Sequence, residues 1–111
     1  MKRDNKAFAS DLLKDKASAL GSAIASARLA RNITRQDFSE RANMSPSTLV
    51  RIERGDVSVN FLAWLQAMER AGILGLLDPA SNPHNDVIGE VNRKADARRR
   101  ARKPTKDQHD Y

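Results

Sequence analysis

TRQDFSERANMSPSTLVRIERG, residues 34–55, is the stretch whose reading decides the fold. Thr34 is a good N-cap, and the run after it predicts a helix over Arg35–Ala42. Asp37 falls in that helix's first turn, where the backbone dipole favours an anion. Asn43 is the turn, because asparagine is the commonest non-glycine residue in a left-handed position at a helix end. Met44 then points inward. Ser45 caps a second helix, and Pro46 takes its first position, where a missing N–H costs nothing. That helix runs to about Arg54, and Gly55 ends it. Phe38, Ala42, Met44, Leu49 and Ile52 supply an apolar inner face, and Ser39 is small where the two helices cross. Pro46, Ser47, Val50, Arg51 and Arg54 line the outer face of the second helix.

Two short helices joined by a tight turn, the second with a free outer face, have the layout of a helix-turn-helix. In that motif the second helix lies in the DNA major groove. Upstream, Leu20, Ile24, Ala27, and Leu29 or Ala30 recur at helical spacing, which predicts a first helix over Ala17–Arg31. Residues 1–16 are a weakly amphipathic N-terminal extension, with Phe8, Leu12 and Leu13 on one loose face. Downstream, Ser58 is the expected cap of a fourth helix, Val59–Ala71. Its core face is predicted to be Leu62, Leu65, Met68 and Phe61, with Trp64 and Gly72 near by. A short apolar piece, Ile73–Leu77, stops at Asp78-Pro79. The expected domain is therefore residues 17–78, followed over 79–111 by a linker and a basic tail expected to be mostly disordered.

The chain has 111 residues, 40% of them hydrophobic and 31% charged, which suits one small helical core. It has no cysteine, so neither disulfides nor thiolate metal sites hold it together. The N-terminal run has no apolar stretch long enough for a signal peptide or a membrane span. The expectation is a cytoplasmic bacterial protein, nucleoid-associated when bound, with no membrane partner. The net charge of +6 is unevenly placed. The part carrying the motif is nearly neutral. From Arg93 to Lys106 the charge is almost wholly basic, with Asp96 the one acid. Such a block attracts phosphate polymers most strongly at low salt. Arg93, Lys94, Arg98, Arg99, Arg100, Arg102 and Lys103 are the candidate tail contacts to phosphate. A solvated tail that only aids solubility is the alternative.

The segment Leu20–Leu77 resembles the Xre/phage-repressor type of helix-turn-helix domain. The S-x-S-T-L-x-R-I-E-R-G run at Ser45–Gly55 carries most of the resemblance, with Arg28, Ile33-Thr34 and the Glu40-Arg41-Ala42 helix end beside it. It implies an all-α, five-helix, lambda-repressor-like fold. The family usually has Gln where Arg35 stands, Ala where Ser39 stands and Gly where Asn43 stands; the last two changes are conservative for geometry. The resemblance further implies an internal ion pair between Arg28 and Glu53, which keeps a glutamate near DNA from repelling phosphates. It implies a homodimer contact through the apolar Ile73, Leu74, Leu76 and Leu77, although these residues also suit a cap on the monomer core.

The candidate DNA-binding residues are Arg35, Ser45, Pro46, Ser47, Thr48, Val50, Arg51 and Arg54. Arg35, Ser45 and Ser47 are placed for phosphates. Ser47, Val50 and Arg51 are placed for base edges, with Arg51 suited to a bidentate contact with guanine and Val50 or Pro46 to a thymine methyl. Arg54, near the helix end, suits the backbone. The expected partner is double-stranded DNA with a palindromic operator, bound as a dimer.

The layout as a whole is similar to HipB-like regulators, the DNA-binding antitoxins that accompany HipA-type kinase toxins. That similarity implies an autorepressing antitoxin that also binds such a kinase. Two alternatives stand beside it. One is a free-standing phage-type repressor without a toxin; the other is an adaptor that uses the same fold to bind protein or RNA. Enzymes find no support. The two histidines, His84 and His109, fall in the expected tail, the glycines are isolated rather than in a phosphate loop, and no metal-ligand spacing is present. No cofactor is expected.

Overall fold

The computed structural model describes residues 5–102. Lys103, assigned above to the tail contacts, and His109 lie outside the described residues. Every regular element among the described residues is helical. No helix among them is long and apolar enough to cross a membrane. The chain divides into two compact units, Met1–Gly75 and Leu76–Tyr111.

In the first unit, a 3-10 turn at Asn5–Phe8 leads into α1, Asp11–Ala30. Three helices follow: α2, Arg35–Arg41; α3, Pro46–Glu53; and α4, Phe61–Ala71. Helix α1 begins at Asp11 rather than at the expected Ala17, so the expected boundary at residue 16 falls inside it. The reason is local. Ser10 caps the helix, its Oγ accepting from the Leu13 N–H at 3.2 Å, and Asp11 favours the first turn electrostatically. Leu12 and Leu13 stay exposed, so caps and propensity, not burial, make this first stretch helical.

Thr34 and Ser45 cap α2 and α3 through the N–H groups of Asp37 and Thr48, each at 3.2 Å. Asn43 joins them with φ 58°, in the left-handed region. Ser39 is fully buried, and its hydroxyl donates to the Gln36 carbonyl at 3.0 Å, so its polar atom is satisfied inside the core. The core gathers around Ile24 of α1, Phe38 of α2, and Leu49 and Ile52 of α3.

Helix α4 departs from expectation at two points. Its cap is Asn60, whose side chain accepts from the Ala63 N–H at 2.8 Å, and not Ser58, which Asp56 engages instead. Its buried face is Ala63, Trp64, Ala67, Met68 and Ala71, whereas Leu62 is 64% exposed and Phe61 70%. Ala63, Ala67 and Ala71 form a small stripe on which the helix packs closely against α1, α2 and α3, Trp64 and Met68 fill the space beside it, and Leu62 and Phe61 lie on the exposed side. Gly72 ends α4 with φ 78°. The short apolar piece expected over Ile73–Leu77 forms a 3-10 turn, Leu74–Leu77, that buries no residue.

Gly21 explains how α1 and α3 meet. A Cβ there would stand 2.2 Å from the Ile52 carbonyl oxygen and 3.0 Å from the Gly55 nitrogen. Gly55, at φ 81°, in turn lies against the Ser18 backbone, 2.5 Å from where its own Cβ would be. The two helices touch backbone to backbone at this point.

The second unit holds α5, Asp78–Ser81, a 3-10 turn at Pro83–Asn85, and α6, Val87–Arg102. The stretch expected to be a disordered tail is thus helical up to Arg102, but α6 buries no residue. Asp86 accepts from the Gly89 N–H at 3.1 Å, Glu90 pairs with Arg93, and Asp96 pairs with Arg99. These local pairs and the contacts of Glu90 and Arg93 with the Pro83–Asn85 turn support α6, and a helix of this length is marginal in water without a packed face.

Candidate nucleic-acid interface

Helix α3 separates its faces cleanly. Leu49, Ile52 and Glu53 are buried, while Pro46, Ser47, Arg51 and Arg54 are exposed and Thr48 and Val50 half-buried. Positions 46, 47, 50, 51 and 54 fall on one side at 3.6 residues per turn. Ser45 is occupied as a cap; its Oγ accepts from the Thr48 N–H and lies 2.9 Å from Thr48 Oγ1 and 3.1 Å from Ser47 Oγ.

The single carboxylate of α3 is turned away from this surface and neutralised. Arg28 donates from Nε to Glu53 Oε2 at 2.8 Å and from Nη2 to Oε1 at 3.2 Å, and its Nη1 donates to the Ile33 carbonyl at 2.8 Å. Both side chains are inside, Arg28 at 6% and Glu53 at 4% exposure. Arg35 donates from Nε to Glu53 Oε1 at 2.9 Å, with its side chain 54% exposed. Burial alone would raise the Glu53 carboxyl, but the hydrogen bonds and charges of Arg28 and Arg35 outweigh it and hold it below the ordinary carboxylate value. Arg35, expected at a phosphate, thus has one nitrogen on Glu53 and the rest of its head at the surface.

Arg51 is not a loose surface arginine. Its Nε donates to Asp56 Oδ2 at 2.9 Å and its Nη2 to Ser58 Oγ at 2.9 Å. Asp56 Oδ1 accepts both the Ser58 N–H, at 2.9 Å, and the Ser58 hydroxyl, at 2.6 Å. Lys6 Nζ stands 3.2 Å from Asp56 Oδ2. Against desolvation, which raises it, the bonds from Ser58, Arg51 and Lys6 hold the Asp56 carboxyl far below its usual range. Asp56, Ser58 and Lys6 were missed by sequence reasoning. The available signal was Asp56 two residues before Ser58, the spacing of an Asx turn.

An open cleft of about 700 Å³ adjoins the end of α3, lined by Lys6, Lys14, Arg51 and Arg54 with Asp15 and Asp56. Four cations against two carboxylates make it electropositive. Elsewhere, Leu74 and Leu76 are exposed, and Ile73 and Leu77 are half-buried. In the second unit Arg93 is held by the Pro83 carbonyl at 2.7 Å and by Glu90, and Arg99 by Asp96. Lys94, Arg98, Arg100 and Arg102 are exposed on α6. Arg93 and His84 hold the Glu90 carboxyl below its ordinary value. Among the described residues no group of three or more potential ligands is placed to hold a metal ion.

Residues 24–64 match the helix-turn-helix family. The matched helix-turn-helix runs from Ile24 of α1 through α2 and α3 to Trp64 of α4, so it takes in both the buried Arg28–Glu53 pair and the outer face of α3. It supports a DNA-binding transcription regulator. No curated protein and no solved structure matches the chain.

Proposed function

We propose that this chain is a sequence-specific regulator that binds a palindromic operator as a homodimer and represses its own promoter. The observation that carries the reading is the outer face of α3. It presents Pro46, Ser47, Val50, Arg51 and Arg54 together, and the helix's one carboxylate is buried between two arginines. A face of hydroxyls, small apolar groups and cations without an exposed acid is what base edges and phosphates require. The exposed Leu74 and Leu76, with Ile73 and Leu77, are the dimer contact of this proposal. The basic stretch from Arg93 onward supplies further phosphate contacts. The HipB-like layout, one helix-turn-helix domain followed by a linker and an Arg-rich end, is the ground for proposing a HipA-type kinase toxin as a second partner.

The test is fluorescence anisotropy against DNA from just upstream of the gene, compared with scrambled DNA. Wild type should prefer its own DNA, and Arg51→Ala should lose that preference. Binding that is equal for both DNAs and unchanged by Arg51→Ala would overturn the reading. Light scattering at tens of micromolar tests the dimer, and a monomeric mass would count against it. Co-expression with a kinase encoded beside the gene tests the toxin, and separate elution of the two proteins would remove it.

A further inference from the structure

We propose that Asp56 and Ser58, outside the recognition helix, fix the presentation of Arg51 so that it selects guanine at one operator position. The inference rests on the DNA-binding reading above and adds the residues that set its specificity.

The guanidinium is a rigid plane with five N–H donors. Two of its edges can form a fork. The edge made by Nε and the adjacent Nη2 hydrogen is occupied, with Nε on Asp56 Oδ2 and Nη2 on Ser58 Oγ, both at 2.9 Å. The outer edge, made by Nη1 and the other Nη2 hydrogen, has no hydrogen-bond partner among the described residues. That edge matches the two acceptors, O6 and N7, that guanine alone presents side by side in the major groove. Adenine presents a donor beside its N7, so the same fork meets it poorly.

Asp56 is itself held. Its second oxygen is fixed by the Ser58 N–H and hydroxyl, and Lys6 stands 3.2 Å from Oδ2. The carboxylate cannot swing away without breaking that turn. Lys6 also balances its charge, so an acid close to the DNA face does not repel phosphates. An arginine held in this way gives up less side-chain freedom on binding than an unrestrained one. Preorganisation of this kind acts on discrimination more than on total affinity, because phosphate contacts supply most of the latter.

The experiment is selection from a pool of random DNA duplexes with the full chain, for wild type, Arg51→Ala, Asp56→Asn and Ser58→Ala, each checked by thermal melting. Asp56→Asn keeps an acceptor for the Ser58 N–H and removes the charge that holds Arg51. Wild type should enrich guanine at one position in each half-site. Asp56→Asn should bind random DNA within about twofold of wild type yet lose roughly tenfold in preference for that guanine, the order set by one good bidentate contact. Ser58→Ala should lose less, in the same direction, and stands in if Asp56→Asn does not fold. Replacing that guanine by 7-deazaguanine should abolish the difference between wild type and Asp56→Asn.

Unchanged guanine preference in both variants overturns the inference while Arg51→Ala still shows the DNA reading to be right. A stronger preference for that guanine in Asp56→Asn also overturns it, because Asp56 would then be withholding Arg51 from the base. If wild type selects no sequence, the DNA-binding reading fails and this inference falls with it.

Discussion

Replacing Glu53 by alanine removes the acceptor for three arginine nitrogens at once. It leaves Arg28, at 6% exposure, without its carboxylate and with only the Ile33 carbonyl for company. Breaking a buried ion pair by removing one partner costs about 3–5 kcal/mol, because the remaining charge is left desolvated. For a domain of this size, each kcal/mol lowers the melting temperature by about 4–8 °C, so Glu53→Ala should melt on the order of 12–40 °C below wild type. Arg35 contributes little of this. Its side chain is 54% exposed, and an exposed partner is worth about 0–1 kcal/mol, so Arg35→Ala should barely move the melting curve. The double change Arg28→Met with Glu53→Met removes both charges together and should recover most of the loss. Circular dichroism melts of the four proteins decide the matter. A Glu53→Ala melt within a few degrees of wild type would refute the reasoning, as would a double variant less stable than Glu53→Ala.

Three further outcomes follow from the same geometry. Gly21→Ala places a methyl 2.2 Å from a backbone oxygen that no rotamer change can move, so it should cost at least about 1–3 kcal/mol, read as a lower urea midpoint. Acid should destabilise the first unit: Glu53 and Asp56 are depressed below their ordinary 4.5 and 3.8, so their stabilisation is complete above those values and is lost as pH falls through the lower native ones. The urea midpoint should therefore hold steady above about pH 5 and fall as the pH drops below about 4.5, less steeply in Glu53→Gln; a flat profile through the acid range would contradict this. A chain ending at Val91 should show a shallower salt dependence of DNA binding, by about 0.9 in log–log slope for each phosphate the tail no longer neutralises, and an unchanged slope would remove the tail from the interface.

The signals that end helices were legible because they act within three or four residues. Thr34, Asn43, Ser45 and Gly55 declare α2, the turn and α3 without help from the rest of the molecule. The face of α4 was not legible. Periodicity marks an apolar stripe, but Leu62 and Ala63 are neighbours, and only the closeness of α1, α2 and α3 decides that alanine goes inward. The cap of α4 was misplaced for a related reason: Ser58 suits the role by type, but Asp56 claims it through a turn and Asn60 caps the helix instead. The outer face of α3 could be read from spacing alone. The partners of Arg51 could not, because Asp56 and Ser58 reach it through a turn whose path depends on where α3 stops. The start of α1 was placed too late because the apolar face of Phe8, Leu12 and Leu13 is weak, whereas the cap at Ser10, and no buried face, starts the helix.

The backbone contact between Gly21 and the end of α3 has a consequence for how such a protein diversifies. Main-chain atoms of Ser18, Gly21, Ile52 and Gly55 mount α3 on α1, and none of these residues is among the outer-face side chains proposed to read DNA. Positions 46, 47, 50 and 51 can therefore be exchanged without altering the mount that carries them. Scaffold and code are inherited separately: a lineage can rewrite its operator one side chain at a time, and a designer can graft a new reading face here, provided the two glycines are left alone.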